Sequence, residues 1–175
     1  TEYLKEKMKK ESIKADFFSG GITKYHVEAL ESNLVDKLYD VQCFDLEAIE
    51  SISKNINHIP ISASRYANPE DNENVIKDLD IVILGAAEID LDFNVNVTTD
   101  SFNTIIGGSG GHTDVSEAAK ITIIVTPLLK ARVPIIKDKV NTITTPGKWI
   151  DILVTERGIA INPLRTDIIE KLKKT

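Results

Sequence analysis

The sequence predicts an α/β fold: a mixed, mostly parallel sheet with flanking helices. Three observations carry that expectation. The first half alternates strand-like and helix-like segments, as βαβ units do. Two short aliphatic stretches mark buried strands: the one within Leu79–Leu84, bounded by Asp80 and Gly85, reads as a strand buried on both faces, and Ile121–Val125 as a buried strand. The second half is richer in strands than in helices.

In order, residues 2–14 form a charged leading helix by propensity, with Leu4 and Met8 on one face. Phe17–Gly21 is a short strand ending in a Gly20-Gly21 turn. Thr23 caps a helix over residues 24–33, with Val27, Leu30 and Leu34 at helical spacing. Tyr39–Phe44 is a strand. Asp45 then caps a helix to about residue 54, with Leu46, Ile49 and Ile52 pointing inward. His58–Ser62 is a short strand, and Tyr66–Asn74, rich in Asn, Pro and Asp, is loop. From Glu88 to Thr98 apolar and polar residues alternate, which predicts one strand with an apolar face and a face of acids and amides. A helix follows the glycine-rich run and reaches about residue 120. Val140–Thr145 and Ile150–Thr155 are strands around a Pro146-Gly147 turn. Gly158–Ile161 is a last strand, Asn162-Pro163 breaks it, and Asp167–Lys174 closes the chain as a helix.

The 175 residues are expected to make a single domain (1–175), or one large half of something bigger. Hydrophobic residues make up 42% of the chain, enough for a core. A net charge of -6 argues against non-specific binding to nucleic acid or to an anionic membrane. The apolar runs are too short to span a bilayer. The lone Cys43 excludes an internal disulfide and suits a reducing cytoplasm. Thr1 stands where a Met would begin a chain, which suggests a fragment of a longer protein.

The most informative stretch is Gly107-Gly108-Ser109-Gly110-Gly111-His112-Thr113-Asp114. Glycines admit positive φ and let a backbone approach a ligand closely. Thr113 or Asp114 can cap the next helix, and Glu117 follows Asp114 at capping-box spacing. Bare amides opening a helix suit an anion or an oxyanion, and a flexible surface loop is the alternative reading. A phosphate-binding loop fails, because His112 stands where Lys is required. A dinucleotide fingerprint from Gly108 fails at Thr113. A serine-hydrolase elbow fits Gly107–Gly111, yet His26, His58 and His112 offer no base well downstream of Ser109. Asp90, Asp92 and Asn94 begin a calcium loop that breaks at Val95 and Ser101, and the three histidines have no metal-ligand spacing, so no metal is expected. What remains is a loop of donors without a nucleophile, suited to oxyanion stabilisation while the substrate attacks.

The glycine run, Ile121–Leu128 and Asp151–Pro163 together resemble the citrate lyase alpha-subunit family. Gly20–Thr23, Asp40–Asp45, Tyr66–Pro69 and Ala87–Asn96 strengthen the likeness, which runs from about Phe18 to Leu172. The resemblance implies the C-terminal portion of a longer subunit with the CoA-transferase fold. It implies a citrate CoA-transferase that exchanges acetyl for citryl on the thiol of an acyl-carrier (gamma) subunit; the alternatives are another CoA-transferase or acyl-CoA thioester hydrolase of the same fold group, or a non-catalytic assembly half. That thiol belongs to phosphoribosyl-dephospho-CoA; no cofactor is bound directly. Further implied partners are the beta subunit, which cleaves the citryl group, the N-terminal half of the same subunit, and further copies in an oligomer. Transferred onto this chain, the site takes the amides of Gly108, Gly110 and Gly111, with Ser109 and His112 on the substrate or CoA side. Glu88 would line the cleft, and Arg132 and Arg157 would hold citrate carboxylates. Relatives with a covalent CoA adduct use a glutamate where this chain has Asp45. That shorter acid favours direct attack by the substrate, with Asp45 either positioning substrate or capping a helix.

Overall fold

The computed structural model describes residues 2–174. It divides into two compact units, one up to Val75 and one from Ile76 onward. The expectation of one domain does not anticipate this division. Its physical basis is two separate apolar cores, parted at the polar Asn68–Asn74 stretch.

The first unit is a small βαβαβ layer. Helix α1 (Glu2–Glu11) buries Met8 and leaves Leu4 exposed, and it ends three residues before the expected limit. Strand β1 (Ala15–Ile22), helix α2 (Lys24–Glu31), strand β2 (Val35–Cys43), helix α3 (Leu46–Lys54) and strand β3 (His58–Pro60) follow. The three strands pair in parallel in the order β1-β2-β3. Ile22, Val27, Leu30, Val35, Leu38 and Ala48 fill the core. Gly20 and Gly21 lie inside β1 rather than in a turn. A Cβ at Gly21 would meet the Phe44 ring at 1.9 Å, so the glycine makes room for that side chain. Gly20 pairs with Asp40 and Gly21 with Gln42, which makes Val41 an extra residue in β2, a β-bulge. Helix α3 turns the opposite way from the expectation. Small Ala48 and Ser51 face the core, while Leu46, Ile49 and Ile52 are 72%, 55% and 36% exposed. Close approach of the helix to the sheet selects the small residues. Helix α4 (Ala63–Ala67) enters the segment expected to be loop.

The second unit holds a four-stranded sheet in the order β12-β11-β7-β4. Strands β4 (Ile81–Leu84), β7 (Ile121–Val125) and β11 (Ile152–Thr155) are mutually parallel. Strand β12 (Gly158–Ile161) returns antiparallel to β11. Between β4 and β7 lie β5 (Glu88–Asp90), β6 (Val95–Asn96) and helix α5 (His112–Ala118). Between β7 and β11 lie β8 (Leu129–Lys130), β9 (Val133–Pro134) and β10 (Ile136–Lys137). Helix α6 (Thr166–Leu172) closes the chain. Ile89, Phe93, Val95, Ile124, Ile135, Ile150 and Leu153 form the core.

The strand register puts Ile81 and Ile83 on one face with Ile121, Ile123, Val125, Ile152, Val154, Ile159 and Ile161. All nine keep solvent exposure, and Ile81 and Ile83 are more than half exposed. The expectation that Leu79–Leu84 is buried on both faces therefore fails: a continuous aliphatic run reports an apolar face but not what covers it.

Residues 88–98 are not one strand. The chain reverses through a turn at residues 91–94, with Phe93 at φ 64, and β5 and β6 pair antiparallel. Burial does not follow the alternation: Glu88, Asp90 and Asn96 of the polar set are each at most 4% exposed, as buried as Ile89, Phe93 and Val95 of the apolar set, whereas Leu91 is 66% exposed. Val140–Thr145 forms no strand, and only a bridge from Val95 to Thr145 remains of it. No helix of the described residues is long and apolar enough to cross a membrane.

Candidate functional site

The glycine run is held at both ends and open between them. At its entry, Thr99 and Ile105 form a bridge and the Ile106 amide donates to the Thr98 carbonyl at 2.9 Å. At its exit, Gly111 is the N-cap of α5 and lends no side chain to the cap. Thr113 and Asp114, the expected caps, instead lie in the first turn. The Thr113 hydroxyl donates to the Thr144 carbonyl at 2.7 Å. Gly107 through Gly110 are exposed, and Gly110 adopts φ 52. Among the described residues, no hydrogen bond takes up the amides of Gly107, Gly108, Ser109, Gly110 or Gly111. The Ser109 hydroxyl reaches only the neighbouring Gly110 carbonyl, at 3.4 Å.

His112 fixes the exit. Its Nε2 lies 3.0 Å from the Gly85 carbonyl, which can only accept, so Nε2 carries the proton. Nδ1 then accepts from the Thr145 hydroxyl at 2.7 Å. Burial lowers the His112 pKa, which keeps the ring neutral and suited to this arrangement. Both ring nitrogens are thus engaged inside the protein, so the ring anchors the loop.

Glu88 supports the entry. Its carboxylate is buried, accepts from Ser101 Oγ at 2.5 Å and Asn96 Nδ2 at 3.0 Å, and has Lys137 Nζ at 3.5 Å. Asn96 Oδ1 in turn accepts from the amides of Thr98 and Thr99 at 3.0 Å each. The chain Glu88–Asn96–Thr98 leads directly to the residue that holds Ile106. Sequence reasoning misses Thr145 because its partner His112 is remote in the chain, and Asn96 because the alternating pattern hides the turn that brings it back to Glu88.

Four arginines divide two and two. Arg65 pairs with Glu73, and Arg165 pairs with Asp151 and with both oxygens of Asp167. The second pairing pulls the Asp167 pKa down to about 2. Arg132, at φ 69 in the exposed turn between β8 and β9, pairs through its side chain with no other described residue, nor does Arg157 in the turn between β11 and β12. Arg157 borders a depression also lined by Ile136, Leu153, Thr155 and Gly158.

Asp45 belongs to the first unit and works as a double cap. Oδ1 accepts from the Ala48 amide at 2.9 Å and Oδ2 from the Lys24 amide at 2.7 Å. The Lys24 bond, with that of Ala48, lowers its pKa. The first unit also gathers three donors that sequence spacing does not relate. His58 Nε2 and Cys43 Sγ lie 3.1 and 2.7 Å from the same oxygen of Asp40, and burial together with that bond pushes the thiol pKa up to about 11.

The whole chain, residues 1–175, matches the family model described as "Citrate lyase, alpha subunit (CitF)". It is 50% identical over 175 residues to the citrate lyase alpha chain of Haemophilus influenzae, covering 100% of this chain and 35% of that protein. A crystal structure from Streptococcus mutans, described as the alpha subunit of citrate lyase in complex with citrate, is 49% identical with a TM-score of 0.95. That match covers 99% of this chain and 34% of that one. A 4-hydroxybutyrate CoA-transferase from Porphyromonas gingivalis, 17% identical with a TM-score of 0.62, shares the fold over 90% of this chain and 40% of that one. The chain spans about a third of the length of the curated relatives it matches. This chain belongs to the citrate lyase alpha-subunit family.

Proposed function

We propose that this chain supplies the oxyanion-stabilising part of a citrate CoA-transferase, which exchanges acetyl for citryl on the thiol of an acyl-carrier subunit. The observation that carries the reading is the run of amides at Gly107–Gly111, exposed from Gly107 to Gly110, without hydrogen-bond partners among the described residues and fixed at both ends. A citrate carboxylate oxygen attacks the acetyl thioester carbon. The oxyanion that forms is met by amides at Gly108, Gly110 and Gly111, each well-aimed donor contributing about 3 kcal/mol. Collapse expels the carrier thiolate and leaves a citryl-acetyl anhydride. The thiolate then attacks the citryl carbonyl and acetate departs.

The thiol is that of phosphoribosyl-dephospho-CoA, and the chain itself binds no resident cofactor. Arg132 and Arg157, whose guanidinium groups are not taken up by acids among the described residues, suit citrate carboxylates. The citrate named for the Streptococcus mutans relative supports that substrate. Asp45, with both oxygens committed to backbone amides, favours direct attack over a covalent CoA adduct. Ser109 lines the loop, His112 and Glu88 hold its ends, and the beta subunit, the gamma subunit and the N-terminal portion complete a cytoplasmic oligomer. The 175-residue chain alone is expected to be slow, because an acyl-transfer cleft needs both walls.

Gly110→Ala tests the reading. Its Cβ meets nothing within 4 Å, but φ 52 strains any alanine, so the loop shifts while the fold stays. Acetyl-to-citryl exchange in the assembled complex should fall about 100-fold. Unchanged turnover in the folded variant would count against the assigned role. Borohydride should trap no enzyme-CoA adduct.

A further inference from the structure

We propose that Asp40, Cys43 and His58 bind one divalent transition-metal ion, zinc by preference, and thereby pin the end of β2 to the start of β3. One donor atom from each residue lies within 4.8 Å of the other two. Three residues apart, Asp40 and Cys43 would face opposite sides of a regular strand. The Val41 bulge brings them together, and parallel pairing of β2 with β3 adds His58.

Hydrogen bonding alone leaves this trio badly arranged. Both the thiol and the imidazole converge on Asp40 Oδ2. Meanwhile Asp40 Oδ1 and His58 Nδ1 are buried with no partner among the described residues. Asp40 is 3% and His58 2% exposed, and among the described residues no lysine or arginine forms an ion pair with that carboxylate. Positive charge beside a buried carboxylate stabilises it, and a divalent ion supplies that charge. Thiolate, imidazole and carboxylate form a borderline-soft set that selects zinc over magnesium or calcium. Ligand bonds of about 2.0–2.3 Å at tetrahedral angles need donors about 3.3–3.6 Å apart, so the trio opens by several tenths of an ångström. Half-buried Cys43 gives the ion its way in. Coordination releases the thiol proton to solvent and uses a lone pair of the neutral imidazole, and no electron is transferred. Water fills the fourth position.

Cobalt is the probe. Titrated into tag-free, chelator-treated 175-residue chain, it should give one equivalent of bound metal and a thiolate-to-cobalt charge-transfer band. Because Cys43 is the only cysteine, that band reports this site. Excess zinc should displace cobalt and raise Tm. Cys43→Ser should fold, lose the band and bind zinc at least about tenfold more weakly. A cobalt spectrum like that of the free ion, with Tm unmoved by zinc, would overturn the proposal. A charge-transfer band that survives Cys43→Ser would overturn it equally.

Discussion

Gly147 shows how much a single missing methyl can decide. A Cβ there would sit 1.9 Å from the Asp92 carbonyl oxygen and 2.8 Å from the Phe93 carbonyl carbon, both backbone. Gly147→Ala should therefore cost about 3 kcal/mol, read by chemical denaturation. Gly21→Ala should cost less, since the obstacle is the largely exposed Phe44 side chain, which can swing aside. His112 gives a pH dependence. Its folded pKa lies below the ordinary 6.5 because burial disfavours the cation, and His26 shifts the same way for the same reason. The stabilisation is present above 6.5 and is lost as pH falls through the folded pKa values. Tm should decline on mild acidification, and His112→Gln should flatten part of that slope. At this scale the sequence is legible where a residue acts on its neighbours, as Asp45 does in capping its own helix. It is silent where the partner is remote: nothing near His112 announces Gly85 or Thr145.

Helix α3 illustrates what periodicity can and cannot say. Its spacing marks one apolar stripe and one stripe of small residues. A sequence reading assigns the larger side chains to the core, whereas the structure gives that place to Ala48 and Ser51. Leu46→Gln and Ile49→Gln should each shift stability by no more than about 0.5 kcal/mol. Ala48→Leu should cost about 1–3 kcal/mol, because it forces a branched chain between helix and sheet. Equilibrium unfolding of the three variants checks the orientation directly. Residues 88–98 fail for a related reason. Alternation is a property of sequence, but Asp90 accepts amides from Asp92 and Asn94 and closes a turn in the middle of the pattern. The parallel βαβ pairing, by contrast, follows plainly from the order of the segments.

For the molecule as a whole, two apolar cores and an exposed acidic connection at Glu70–Glu73 predict the proteolytic pattern. Limited digestion with a glutamate-specific protease should cut there first and release two protected fragments meeting near Val75. Mass spectrometry of the early products reads the outcome. The nine aliphatic side chains on one side of the four-stranded sheet carry a different consequence. Water wetting such a surface is released when a second layer is laid across it, which favours any greasy covering. A fluorescent apolar dye should therefore light up on this polypeptide in isolation. It should darken when the partner subunits proposed above are added.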